Sequence, residues 1–218
     1  MTKLIKKEFS FTAMLITYLF IAAAGMTMLP GYPILCGPFF ICLGLFYTYQ
    51  GAREGNDVLF SSLLPVKKGD VVRAKYVFVV AIELISFAIM TALTLLRMAA
   101  LNEASPYAEN ALMNANLMSL GFSLMIFASF NILFLGGFWK DAYKIGMPFV
   151  RAMIAIFLVL GIGESIHFFP GMKEINTSFG MIEIQYAVLG CGVLAYILGT
   201  LISMNRSVKR FEKIDLSL

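Results

Sequence analysis

The sequence predicts an all-α membrane protein of six transmembrane helices with both termini in the cytoplasm. Three observations predict it: the composition, six apolar runs of bilayer length, and a one-sided distribution of Lys and Arg. Of the 218 residues, 60% are hydrophobic and only 14% charged, whereas a soluble domain of this size keeps about 25% charged residues. The mean hydropathy is +0.83. Charges this sparse, gathered between long apolar runs, mean that most of the chain is solvated by lipid. Six spans leave no stretch for a water-soluble domain, so residues 1–218 read as a single transmembrane domain.

The apolar runs are Ser10–Met28, Pro33–Gln50, Val71–Leu96, Leu117–Phe138, Met147–Ile166 and Ile184–Met204. Each is close to the roughly 20 residues that a ~30 Å hydrocarbon core requires at about 1.5 Å per residue. None alternates with period two, which argues against a membrane β-barrel.

Ahead of the first run, Lys3, Lys6 and Lys7 share one helical arc and Leu4, Ile5 and Phe9 fall opposite. That pattern predicts a short amphipathic helix at the inner membrane surface. Glu8 interrupts its apolar face. The basic start and Ala22-Ala23-Ala24-Gly25 have the outline of a signal peptide, but the run continues to Met28 and five more follow, so it reads as span one. Pro30-Gly31-Tyr32-Pro33 predicts a tight turn that makes spans one and two a hairpin. Pro33, Gly37, Pro38 and Gly44 predict a bend in span two.

The longest inner loop runs from Gly51 to Arg73. Asn56 or Asp57 is placed to cap a short helix from Val58 to Leu64, which Pro65 stops, and Asp70 to cap span three. Leu59, Phe60, Leu63 and Leu64 on that short helix need burial, in the lipid interface or in a groove on a partner. Glu83 lies halfway along span three, where a carboxylate costs several kcal/mol unless neutralised or paired. It reads either as a hydrogen-bonded packing residue or as part of a pathway or gate, and Asn131 in span four is its candidate partner.

Orientation follows from the basic residues. With the N-terminus inside, the inner segments hold Lys3, Lys6, Lys7, Arg53, Lys67, Lys68, Arg73, Lys75, Lys140, Lys144, Arg151, Arg206, Lys209, Arg210 and Lys213, and the outer loops keep only Arg97 and Lys173. Glu103, Glu109, Glu164, Glu174 and Glu183 fall at or near the outer ends. Tyr47, Tyr49, Tyr76, Trp139 and Tyr143 fall near inner boundaries, where amphipathic rings collect.

Several chemistries are absent. There is no GxxxxGK[ST] phosphate loop, no HExxH and no GxSxG. His167, the only histidine, stands at the outer end of span five and reads as an interfacial residue. Cys36, Cys42 and Cys191 lie inside apolar runs and read as small packing residues rather than a disulfide or metal site. No basic soluble face exists for nucleic acid. The chain therefore reads as a non-enzyme with no cofactor or metal of its own.

The stretch Phe60-Ser61-Ser62-Leu63-Leu64-Pro65-Val66-Lys67-Lys68-Gly69-Asp70-Val71-Val72-Arg73-Ala74-Lys75-Tyr76 resembles the S-L-P-V-[basic]-x-x-[apolar]-V-x-x-K-Y segment between spans two and three of bacterial ABC-2 type permeases. It is most similar to the small branch that includes the phenol-soluble-modulin exporter permeases. It departs from the pattern by an extra Leu at 63 or 64 and by Lys67 where Ser or Thr often stands. The basic Lys6-Lys7-Glu8-Phe9 and the six-span plan also resemble that family.

The resemblance implies a permease of the bacterial cytoplasmic membrane, the membrane half of an ATP-binding-cassette exporter. The short loop helix would be a coupling helix seated in a separate ATPase chain, which would bind the ATP and Mg. Glu8, Asp57, Leu59, Phe60, Leu63, Leu64, Lys67 and Lys68 would form the docking region. A second permease chain, identical or paralogous, would complete a path for an amphipathic or hydrophobic peptide, bacteriocin or lipid-like cargo. In larger relatives the region matching Gly161 to Ile182 dips back into the outer leaflet, and Gly161-Ile162-Gly163 with Phe168-Phe169-Pro170-Gly171 is long enough to do so in miniature. Two readings compete: a lipid- or prenyl-acting membrane enzyme, which needs more polar residues at one depth than Glu83 supplies, and a non-transporting sensor or immunity subunit.

Overall fold

The computed structural model describes residues 1–101, 105–108, 112–140 and 144–213, the side chains of Ser62, Ser105 and Ala108 excepted. Glu103, Glu109, Tyr143 and residues 214–218 lie outside the described residues. The helices are α1 (Thr2–Thr12), α2 (Leu15–Met28), α3 (Cys36–Glu54), α4 (Asp57–Leu63), α5 (Lys68–Leu101), α6 (Ser105–Ala108), α7 (Leu117–Phe138), α8 (Gly146–Phe168) and α9 (Ile182–Glu212). No strand occurs among the described residues.

Helices α5, α7, α8 and α9 are each long and apolar enough to cross a bilayer, and α1 with α2 makes a fifth candidate bent by 91°. The remaining predicted span is α3. It has 19 residues and pairs with α2 as a hairpin, but its last turns carry Gln50, Arg53 and Glu54. Those polar residues keep it from qualifying on apolar length alone.

The bend expected in span two is in span one instead. Ala13 and Met14 are extended, with ψ of 125° and 150°, so residues 10–12 belong to α1 rather than to a straight helix over 10–28. Neither residue signals a break. The cause is tertiary: Phe9 packs edge-on against Phe78 at 5.0 Å, and the Tyr18 hydroxyl donates across the break to the Phe9 carbonyl at 2.9 Å. In α3, by contrast, Gly37 and Pro38 stand in the first turn, where a missing N–H removes no intrahelical bond. The helix runs on unbroken past Gly44, whose missing side chain admits Phe20 of α2.

Helix α1, α4, the start of α5 and the last turns of α9 lie at one end of the bundle. There Lys75 meets Glu8, and Gly69 lies against Val208 and Glu212. Helices α7 and α9 meet backbone to backbone, because a Cβ at Gly121 would stand 2.7 Å from the Val188 carbonyl oxygen and one at Gly192 would strike Gly121. An aromatic core joins α3, α7, α8 and α9: Phe46 stacks on Phe149 at 3.8 Å, Tyr49 meets Phe138 edge-on at 4.8 Å, and Trp139 meets Phe211 at 4.9 Å. Trp139, Tyr49 and Tyr76 are buried, Trp139 because the last turns of α9 fold across the end of α7; Tyr47 stays exposed.

The opposite end is sealed by polar contacts of residues that sequence reasoning placed in an outer loop (Arg97) or at the outer end of span five (Glu164 and His167). Arg97 is buried in the final turn of α5, where it donates to the Thr27 carbonyl and lies 4.3 Å over the Tyr107 ring. Glu164 accepts from the backbone N–H groups of Leu35 at 3.2 Å and Met113 at 3.1 Å. His167 is buried beside Phe168. No re-entrant helix pair forms over 161–182. Helix α8 ends in a 3-10 turn, a second 3-10 turn covers Lys173–Asn176, and α9 begins at Ile182.

Candidate functional site

Helix α4 is the candidate site, and its seven residues explain why it stays put. Asn56 precedes it in the left-handed region, φ 50°, and makes no side-chain cap. Asp57 does not cap it either, because its carboxylate is turned onto two lysines. Leu64 is extended, and Pro65 follows, so the helix stops at Leu63. Asp70, expected as the cap of span three, instead lies in the first turn of α5 and pairs with Arg73 at 3.0 Å, while Lys67 occupies the cap position.

Four charges fasten α4 to α1 and α5. The Lys75 ammonium, 2% exposed, lies 2.8 Å from Glu8 and 2.6 Å from Asp57. Lys7 pairs with Asp57, with Glu8 at 3.1 Å, and donates to the Ser61 hydroxyl at 2.8 Å. Two positive and two negative groups leave the cluster neutral. Burial pushes the Asp57 carboxyl up, but Lys75 and Lys7 outweigh it and hold it below the usual carboxylate range. Beneath the cluster, Lys75 stands 5.8 Å above the Tyr49 ring.

This arrangement sorts the predicted docking residues. Glu8 is 1% exposed and faces inward, and the break it made in the apolar face of α1 is the contact with Lys75. Asp57 is also turned inward. Leu59 and Leu64 are half-buried, while Phe60 and Leu63, three residues apart, project outward at 59% and 75% exposure. Lys67 is exposed beside them and Lys68 half-buried. The residue left out of the predicted docking set is Lys75, read as an inner basic residue and as the Lys of the K-Y pair that closes the family-like segment. The motif marked its position, but not that its side chain turns inward to Glu8 and Asp57.

The second predicted pair meets in the bundle. Glu83 is fully buried, and one of its carboxylate oxygens accepts from Asn131 Nδ2 at 2.9 Å and from the Tyr196 hydroxyl at 2.8 Å. Asn131 Nδ2 also donates to Thr200 at 3.0 Å, and Ser203 donates to the Asn131 carbonyl at 2.7 Å. The Tyr76 hydroxyl then lies 2.9 Å from Ser203 and 3.0 Å from Ser207. A polar thread thus links α5, α7 and α9. Tyr196, Thr200, Ser203 and Ser207 lie on one face of α9 at helical spacing, a signal that the sequence carried and that the search for single acidic residues passed over. Both Glu8 and Asn131 sit in π-helical stretches, Glu8–Thr12 and Phe130–Leu135, whose wider turns re-aim side chains.

The three cysteines are free, and among the described residues no group of His, Cys, Asp and Glu is placed to hold a metal ion. No curated protein and no solved structure matches the chain. A family model described as ABC-2 family transporter protein matches residues 2–212. A helical bundle with four or five bilayer-length crossings, matched over nearly its whole length, belongs to the ABC-2 transporter family and is a membrane permease component of an ABC transporter.

Proposed function

We propose that the chain is the permease half of an ATP-binding-cassette exporter and that α4 couples it to a separate ATPase. The observation that carries this reading is a short helix that turns Phe60 and Leu63 to solvent while ion pairs fix it to α1 and α5. An apolar pair held rigidly outward is preorganised for a groove, since little freedom is lost on docking. In this reading six helices cross the bacterial cytoplasmic membrane, α3 included, with both termini and α4 in the cytoplasm. The ATPase supplies the ATP and Mg site. A second permease chain, identical or paralogous, completes the path, as in the small branch with the phenol-soluble-modulin exporters. The cargo is amphipathic or hydrophobic: a peptide, bacteriocin or lipid-like molecule.

Truncating one buried anchor at such an interface costs on the order of 2 kcal/mol, roughly thirtyfold in affinity. Phe60→Ala with Leu63→Ala is expected to strip the ATPase from purified complexes, or to leave ATP hydrolysis running without export. Wild-type pull-down together with wild-type export would end the coupling assignment. In a chain freed of Cys36, Cys42 and Cys191, a cysteine at Lys173 should label from outside and one at Lys68 should not.

A further inference from the structure

Where α7 ends against α9, a cleft of about 280 Å³ opens near the last turns of α9. Two arginines stand over it. Arg206 and Arg210, one helical turn apart, are exposed on α9, and Arg210 donates to the Gly136 carbonyl at 2.9 Å, which fixes its guanidinium at the mouth. Neither arginine pairs with a carboxylate among the described residues. The cleft exists because two glycines line it: a Cβ at Gly136 would stand 2.8 Å from the Ser203 hydroxyl, and one at Gly199 would stand 2.7 Å from Ile132.

The far rim is apolar and exposed. Ile132 and Ile202 are 45% and 49% exposed, and Leu198, one turn further into the apolar run of α9, is 55% exposed. Two guanidinium groups without a carboxylate partner among the described residues, at the polar end, and three bare aliphatic side chains at the other match one kind of molecule. We propose that this cleft binds an anionic phospholipid, with its phosphodiester between Arg206 and Arg210 and an acyl chain along Ile202, Leu198 and Ile132. A soluble phosphate would satisfy the arginines and leave the rim uncovered. A zwitterionic lipid would set its own cationic group against a doubly positive site. The inference stands apart from the coupling role of α4, since no residue is shared.

Native mass spectrometry of the purified full chain, titrated with phosphatidylglycerol and phosphatidylcholine of matched acyl chains, tests it. The wild type should retain phosphatidylglycerol in preference. Arg206→Gln, which leaves the Arg210 bond to Gly136 in place, should cut that preference about fivefold, the equivalent of roughly 1 kcal/mol per basic residue at a membrane surface. Arg206→Gln with Arg210→Gln should remove most of it. Lys6→Gln, which removes an exposed charge from α1, should leave it unchanged. Retention of the preference in the Arg206→Gln chain would overturn the proposal. An equal loss in Lys6→Gln would do so as well, by reducing the effect to net charge. Displacement of bound phosphatidylglycerol by inorganic phosphate would reassign the cleft to free anions.

Discussion

Replacing Lys75 with Met tests whether the four-charge cluster is what holds α4. The ammonium is 2% exposed and touches two carboxylates, Glu8 at 2.8 Å and Asp57 at 2.6 Å. Its removal leaves Lys7 as the single cation for both. Breaking a buried ion pair by deleting one partner costs about 3–5 kcal/mol, because the other charge stays behind in a dry site. Lys7 remains 3.1 Å from Glu8 and is itself 16% exposed, so the lower end, about 3 kcal/mol, is expected. Glu8→Leu alone should cost about as much, since Lys75 then keeps only Asp57. The combined Lys75→Met and Glu8→Leu chain should lose much less than the sum, because a neutral apolar contact replaces the severed pair and Lys7–Asp57 survives. Denaturant titration of the purified chain gives all three values, and the cycle isolates the coupling. A single-mutant loss under about 1 kcal/mol, or losses that simply add, would show that α4 is held by its Leu59 and Leu64 contacts and not by charge.

The remaining expectations are briefer. Asp57 titrates below its ordinary value in the folded chain, so its contribution is full above about pH 4 and is lost as the pH falls through that lowered value; Asp57→Asn should flatten the acid limb of the unfolding profile. Glu83→Gln keeps an acceptor for Asn131 and Tyr196 and should change stability by less than about 1 kcal/mol, whereas Glu83→Leu strands two buried donors and should cost about 2 kcal/mol or more. Equal stability of the two variants by thermal unfolding would remove the polar thread from the account of the fold. Gly192→Ala forces a methyl group into the Gly121 backbone and should cost about 1–3 kcal/mol through separation of α7 from α9, read by the same melt.

The parts legible in the sequence are those fixed by one property of one segment. Apolar length located α5, α7, α8 and α9, and Pro65 located the end of α4. What escaped depends on two segments meeting. The break at Ala13–Met14 has no local cause and comes from α1 lying on Phe78 and Lys75. Pro and Gly in α3 looked like a kink and proved to be a helix start and a packing notch. Arg97 reads as an outer-loop residue, yet Thr27 and Tyr107 arrive from other parts of the chain to bury it. Within the site, the exposed Phe60 and Leu63 follow from α4 itself, whereas the roles of Glu8 and Lys75 become visible only when residues far apart in the chain share one dry contact.

The right-angled start of the chain leaves α2 as a short crossing. Its 14 residues divide into an α-helical half, Leu15–Ile21, and a 3-10 half, Ala22–Met28. At about 1.5 and 2.0 Å per residue the two halves together reach roughly 24 Å, against ~30 Å of hydrocarbon. Seven consecutive 3-10 residues are an unusually long run, and each one adds reach. The mismatch that is left has to be met by the lipid. Phe11, Leu15 and Leu19, exposed at 84%, 76% and 63%, present an apolar surface on both sides of the bend, where a thinned leaflet would meet them. Local thinning of the bilayer beside the first 28 residues is the outcome expected of a crossing this short.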